Sequence, residues 1–218
     1  MALGALHAAH FDVESEQIVK LLGAQSSEVR VLKRMIERGI NAPMTSSLGR
    51  LFDAVAAVVL GRRTVDYEAQ AAIELEGIAV DENDRLGRQD YVPSIWAPGS
   101  CVDAHHDGSS LIKTSDMWLA LVDDLRRGVR KSRIAARFHS GIAEAFVAAA
   151  GNASAKTGIR QIVLSGGCMH NRRLARLLCE GLEEEGFEVF QQRNVSPGDG
   201  GLSYGQAVVA AAVLARRG

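Results

Sequence analysis

LSGGCMHNRRLARLL, Leu164–Leu178, and the loop PGDGG, Pro197–Gly201, further downstream, carry the strongest structural signal in the chain. A short apolar strand, Ile162–Leu164, runs into a Ser-Gly-Gly turn and then into a helix. That order predicts outward-facing backbone N–H groups without intrahelical partners, where a phosphate could sit. The same order recurs in α/β proteins that bind nothing at that place. The segment therefore speaks first for fold class.

Working outward, strand Gln161–Leu164, helix Asn171–Glu185, strand Phe187–Gln191 and helix Gly201–Arg216 alternate as in an α/β protein. Upstream, Val29, Leu32 and Ile36 mark a helix over Ser27–Arg38, and Thr45–Ser47 cap a second helix that reaches Gly61. A third helix is expected over Asp66–Glu76. The turn-rich stretch after it has β-prone pieces at Tyr91–Trp96 and Leu111–Lys113, which predict two or three antiparallel strands, and a mobile loop over Gly99–Ser110. Ser115 is placed to cap a helix carrying Trp118, Leu121, Val122 and Leu125 at helical spacing. A further helix, Ser132 to about Ala150, would bury Ile134, Phe138, Ile142 and Phe146.

Composition bounds the partners. The 218 residues suffice for one sizeable core, and 47% hydrophobic residues at a mean hydropathy near zero fit a globular chain. With 25 Lys and Arg against 26 Asp and Glu, the net charge of −1 provides no field to recruit nucleic acid. The local cluster Arg126, Arg127, Arg130, Lys131, Arg133 and Arg137 straddles a helix end and reads as a solvated face. No apolar run is long enough to span a membrane. Three cysteines, Cys101, Cys168 and Cys179, form no CxxC pair, and no signal sequence precedes them, which points to the cytoplasm. Cys168 has no evident paired base and reads as a small apolar filler; His105 and His106 read as surface residues.

A second segment, TSSLGRLFDAVAAVVLG, Thr45–Gly61, sharpens the picture. Its helix places Gly49 and Asp53 four residues apart on one face. A bare glycine beside a carboxylate can admit a sugar edge, with Asp53 accepting two hydroxyl hydrogen bonds. A solvent-facing Asp and a tolerated Gly would leave the same trace.

NAPMTSSLGRLFDAVAA (Asn41–Ala57), YEAQAAIELE (Tyr67–Glu76), IAARFHSGIAEAF (Ile134–Phe146), LSGGCMHN (Leu164–Asn171) and PGDGGLSYGQAVVAAA (Pro197–Ala212) occur in an order that resembles the HypF carbamoyltransferases of hydrogenase maturation. Less closely, it is similar to the TsaD family of tRNA threonylcarbamoyltransferases, which the neutral charge disfavours. The resemblance implies an α/β chain forming one lobe of an actin-like (ASKHA, ribonuclease-H-like) fold with several packed helices. Residues 1–218 are then a single domain, the C-terminal lobe. The first lobe with its HHHAH-type motif and the adenylating domains are expected to lie outside the chain.

By the same resemblance, Gly49, Asp53, Gly166, Gly167 and Asn171 are nucleotide-binding, with Asp53 on the ribose and Asn171 on the nucleotide or adenylate. Asn171 alone would more often be a helix cap, a preference that the motif reverses. Asp199 resembles a metal-site aspartate that works beside two first-lobe histidines, and otherwise reads as an N-cap. His139 matches a family position but suits a buried histidine bonded to backbone. Ala69 stands where the family has glycine, which adds a methyl group and restricts φ.

The implied ligand is ATP or carbamoyl-adenylate, with a divalent metal, Fe or Zn, only in the complete domain. The implied reaction is carbamoyl transfer to the C-terminal cysteine of HypE, with the isolated lobe inactive. The other reading is a non-catalytic nucleotide-binding or assembly module, paired with a separate first lobe or self-associated through the surface around Gly49, Asp53, Gly166 and Asn171.

Overall fold

The computed structural model describes residues 1–79, 91–96 and 111–216. Helices α1 (Ala2–Ala8), α2 (Glu16–Leu21), α3 (Ser26–Glu37), α4 (Leu48–Leu60) and α5 (Gln70–Ala79) come first. Strands β1 (Ser94–Trp96) and β2 (Leu111–Lys113) pair antiparallel, with Ile95 opposite Ile112. Helices α6 (Ser115–Arg126) and α7 (Lys131–Thr157) follow, then strand β3 (Gln161–Leu164), helix α8 (Arg172–Glu184), strand β4 (Glu188–Gln191) and helix α9 (Leu202–Ala215). Strands β3 and β4 pair in parallel through the α8 crossover, with Val163 opposite Phe190. The fold is mixed α/β, and each sheet has two strands among the described residues.

The core belongs mainly to the helices. Helix α7 packs against α5, α6 and α8, while α4 packs against α1 and α5. The apolar face of α4 explains this, since Phe52, Val55, Val58 and Val59 are all buried. Phe52 meets Phe138 of α7 edge to face, with ring centroids 4.8 Å apart, and meets His139 at 5.2 Å. Trp118, Leu121 and Val122 of α6 are buried as their spacing predicts.

Several expectations change. Helix α5 starts at Gln70 rather than Asp66, because Ala69 sits in the left-handed region at φ +61°, which cannot continue a right-handed helix. Helix α7 runs past Ala150 to Thr157, as nothing breaks it before Gly158. Thr114, not Ser115, occupies the cap position of α6, and its side chain makes no capping bond. Phe146 is 38% exposed and Leu32 45% exposed, so neither stripe is buried along its whole length. Arg137 leaves the solvated cluster: it pairs with buried Asp124, which also accepts from the Tyr91 hydroxyl at 2.8 Å. Helices α1 and α2 had no advance signal, yet Leu3, Leu6, Ile18 and Val19 join the core. Cys101, His105, His106 and the loop expected at Gly99–Ser110 lie outside the described residues.

Candidate functional site

The N-terminus of α4 forms one wall. Ser47 caps it by accepting from the Arg50 N–H at 3.4 Å, which sets the helix start as the sequence predicts. One turn later Asp53, mostly buried, lies 3.1 Å from the Arg50 guanidinium. A Cβ added at Gly49 would come within 3.9 Å of the Cys168 sulfur, so the bare glycine backs directly onto the glycine-rich turn. Burial, reinforced by the Asp53 charge, pushes the Cys168 thiol pKa up. A thiol held neutral is a poor nucleophile, in keeping with a filler.

The turn itself is built by Gly166 at φ +101°, ψ 164°, a conformation open essentially to glycine alone. Gly166 N–H donates to the Pro197 carbonyl at 2.8 Å, and the Ser165 hydroxyl donates to the same oxygen at 3.3 Å. His170 Nε2 and Ser196 Oγ are 3.2 Å apart, and Ser196 Oγ accepts from the Gly198 N–H. The PGDGG loop is thereby held beside the SGG turn. A short 3₁₀ turn, Gly167–His170, intervenes before α8, and its leading N–H groups have no acceptor within it.

Asn171 makes two internal hydrogen bonds. Its Oδ1 accepts from the Leu174 N–H at 2.8 Å, capping α8, and its Nδ2 donates to His139 Nε2 at 3.0 Å. His139 Nδ1 in turn donates to the Ala135 carbonyl at 2.7 Å. Both ring nitrogens are thus occupied in one tautomer, and burial pushes the pKa down to about 4, so the ring is neutral. The Arg173 N–H of α8 is also taken, by Glu76 of α5 at 3.0 Å. The open donors for an anion therefore belong to the 3₁₀ turn rather than to the N-terminus of α8, a refinement of the sequence expectation.

Asp199 is exposed at the start of the 3₁₀ turn Asp199–Gly201. It does not cap α9, whose cap position is Gly201 with no side-chain bond. No group of three or more His, Cys, Asp and Glu suited to a metal occurs among the described residues. One carboxylate does not hold a transition metal. The described residues of this chain do not fit such a site by themselves.

Six sequence-predicted residues thus fall into two groups. Gly49, Asp53, Gly166, Gly167 and Asn171 line one region, joined from behind by Phe52, whose ring touches His139, which bonds Asn171. Asp199, exposed, belongs to the loop held beside that region. Sequence reasoning missed Arg50 and Ser196 as partners; His139 is the buried, backbone-bonded histidine it expected, and the further bond to Asn171 was not foreseen.

Residues 1–206 match the family described as carbamoyltransferase, Kae1-like domain, second subdomain. The chain is 34% identical to carbamoyltransferase HypF2 of Cupriavidus necator, covering 96% of this chain and 27% of that protein. It is 36% identical to a carbamoyltransferase HypF homolog of the same organism, covering 97% of this chain and 52% of the relative. A crystal structure of full-length HypF in the phosphate- and nucleotide-bound form superposes with a TM-score of 0.77 at 32% identity, covering 97% of this chain and 26% of that one. A crystal structure of T. kodakarensis HypF shares the fold at a TM-score of 0.70 and 23% identity, over 92% of this chain and 24% of that one. The chain spans between about a quarter and a half of these relatives' length.

Proposed function

We propose, since this chain belongs to the HypF carbamoyltransferase family through the second subdomain of its Kae1-like domain, that it supplies the nucleotide-holding half of a carbamoyl-transfer site. The supporting observation is the convergence of three distant segments. Gly49 and Asp53 of α4, the Gly166–Gly167 turn and Asn171 meet at one place, beside the Pro197–Gly201 loop.

In this reading the ligand is ATP or carbamoyl-adenylate. Asp53 accepts from the ribose hydroxyls once it exchanges its contact with Arg50, an ion pair half open to solvent that costs little to give up. The leading N–H groups of the 3₁₀ turn receive phosphate oxygens. Asn171 keeps one spare N–H and one spare lone pair beyond its two internal bonds, enough to read the nucleotide without releasing the cap. His139, neutral and fixed, holds that amide in one orientation. Asp199 offers a single carboxylate, and further metal ligands would come from the first subdomain. The acceptor is the C-terminal cysteine of HypE, in the cytoplasm. No nucleic acid or membrane enters the reaction; no described helix is long and apolar enough to cross a membrane.

The test is calorimetry with ATP on the chain mixed with the first subdomain of a HypF-like protein. Asp53→Ala should weaken binding by about 1 to 3 kcal/mol through loss of charge-assisted hydrogen bonds. Unchanged affinity removes Asp53 from the site. Thiocarboxamide formation on HypE by this chain without the first subdomain would show that the transfer needs no second half.

A further inference from the structure

Arg50 is left without a partner once Asp53 turns to a ribose. It follows Gly49 on α4, and its Nη2 lies 3.1 Å from Asp53 Oδ2, three residues along the helix. The guanidinium makes no other hydrogen bond or ion pair among the described residues, although such a group carries five N–H donors. Its side chain is 46% exposed and has room to turn, whereas that of Asp53, at 16%, is held. The Arg50 charge also reaches the glycine turn. Gly49 backs onto Cys168, and there burial and then the Asp53 charge raise the thiol pKa while Arg50 pulls it down. The guanidinium thus stands beside the 3₁₀ turn Gly167–His170, whose leading N–H groups have no acceptor within it. Cations of α8 are placed otherwise: buried Arg173 donates to the Ala79 carbonyl, and Arg176 pairs with Glu180.

We infer that Arg50 is the phosphate-reading residue of this site: it pairs with Asp53 before ligand binds, and turns its guanidinium onto the 5′-phosphate of the nucleotide once ribose hydroxyls take its place. The inference rests on the nucleotide reading above, and adds the residue that separates phosphorylated nucleosides from bare ones. Two physical points support it. An ion pair this open to solvent stabilises the chain only slightly, whereas a guanidinium fork can meet a phosphate through two hydrogen bonds, each about twice as strong as a neutral one. Hydroxyl donors satisfy the Asp53 oxygens without neutralising their charge. A phosphate at the turn would then face a carboxylate across the same site, and the two anions repel unless a cation stays beside them. Arg50 is the cation already in that position.

The experiment measures adenosine and AMP by calorimetry on the full chain mixed with the first subdomain of a HypF-like protein. Wild type should bind AMP more tightly than adenosine. Arg50→Gln, which keeps a polar side chain and removes the charge, should reduce that preference at least tenfold, almost wholly through weaker AMP binding. Arg50→Lys should keep most of it. An equal loss for both ligands in Arg50→Gln overturns the inference, since a residue that merely orders α4 or Asp53 would act on the two alike. So does a preference unchanged from wild type, or Lys and Gln variants that behave alike. A wild-type mixture that binds neither ligand defeats the nucleotide reading itself, and the inference with it. One that binds both equally defeats only the part assigned to Arg50.

Discussion

The helical body and the C-terminal strand–helix unit solve the burial problem differently. In the body, α4 and α7 cross with Phe52, Phe138 and His139 interlocked, and Val55, Val59, Ile134 and Ile142 are all at or below 2% exposed. In the C-terminal unit, α8 buries Leu174, Leu178 and Leu182, but β3, β4 and α9 keep Val163, Phe190 and Val209 in water. Hydrophobic residues are abundant in both. What differs is whether the chain contains the surface that covers them. Stability should therefore reside in the body, and association in the C-terminal unit.

The largest loss of stability is expected from Gly141→Ala in α7. Alanine in a helix normally gains about 0.5 to 1 kcal/mol over glycine. Here the new Cβ would meet the Tyr91 carbonyl oxygen at 2.2 Å, backbone against backbone, with no flexible side chain to move. Overpacking of that kind costs about 3 kcal/mol, which outweighs the propensity gain. Urea denaturation should show a loss of that order. A variant as stable as wild type would mean that the α7–Tyr91 contact is not part of the body.

The next largest effect is pH-dependent. His139 is neutral in the fold, with its pKa depressed to about 4 by burial, against an ordinary value of 6.5. The unfolded chain therefore takes up a proton that the folded chain refuses. Its contribution is complete above pH 6.5 and declines as pH falls, at about 1.4 kcal/mol per unit down to the folded pKa. Between pH 7 and 5, where carboxylates remain ionised, urea midpoints should report a loss of about 2 kcal/mol, and His139→Gln should flatten that dependence. An equal slope in both proteins would show that the ring is solvated rather than locked between Ala135 and Asn171.

A smaller gain is expected from Ala69→Gly. At φ +61° an alanine carries a steric cost of about 1 to 2 kcal/mol, while glycine adds conformational freedom to the unfolded chain worth up to about 1 kcal/mol. The difference favours glycine by about 0.5 to 1 kcal/mol, readable as a rise of a few degrees in Tm. A fall would place Ala69 in ordinary helical geometry.

The same contrast explains what the sequence disclosed. The glycine turn, the Ser47 cap and the strand–helix alternation after Gln161 rest on local rules and were legible within two or three residues. Helices α1 and α2 were not, since their few apolar positions acquire meaning only against α3 and α4. The start of α5 was misplaced because propensity carries no information about one left-handed residue. At the site, Gly49 and Asp53 could be placed on one face from spacing alone. Their meeting with Cys168 and the His139–Asn171 bond are long-range facts that no local pattern encodes.

The smallest expected effect tests the other side of the comparison. Val209→Ser replaces a 64% exposed valine on α9, where little apolar area leaves water on folding. Surface changes of this kind stay within about 0.5 kcal/mol, and valine and serine differ little in helix propensity. The urea midpoint of the chain alone should therefore hardly move, although its buried counterpart Val59→Ser on α4 should cost about 2 kcal/mol or more through lost burial and an added hydroxyl. If Val209→Ser were as damaging as Val59→Ser, α9 would be packed in solution against the body or another copy of the chain. The division between a self-sufficient body and a C-terminal unit awaiting its cover would then fail.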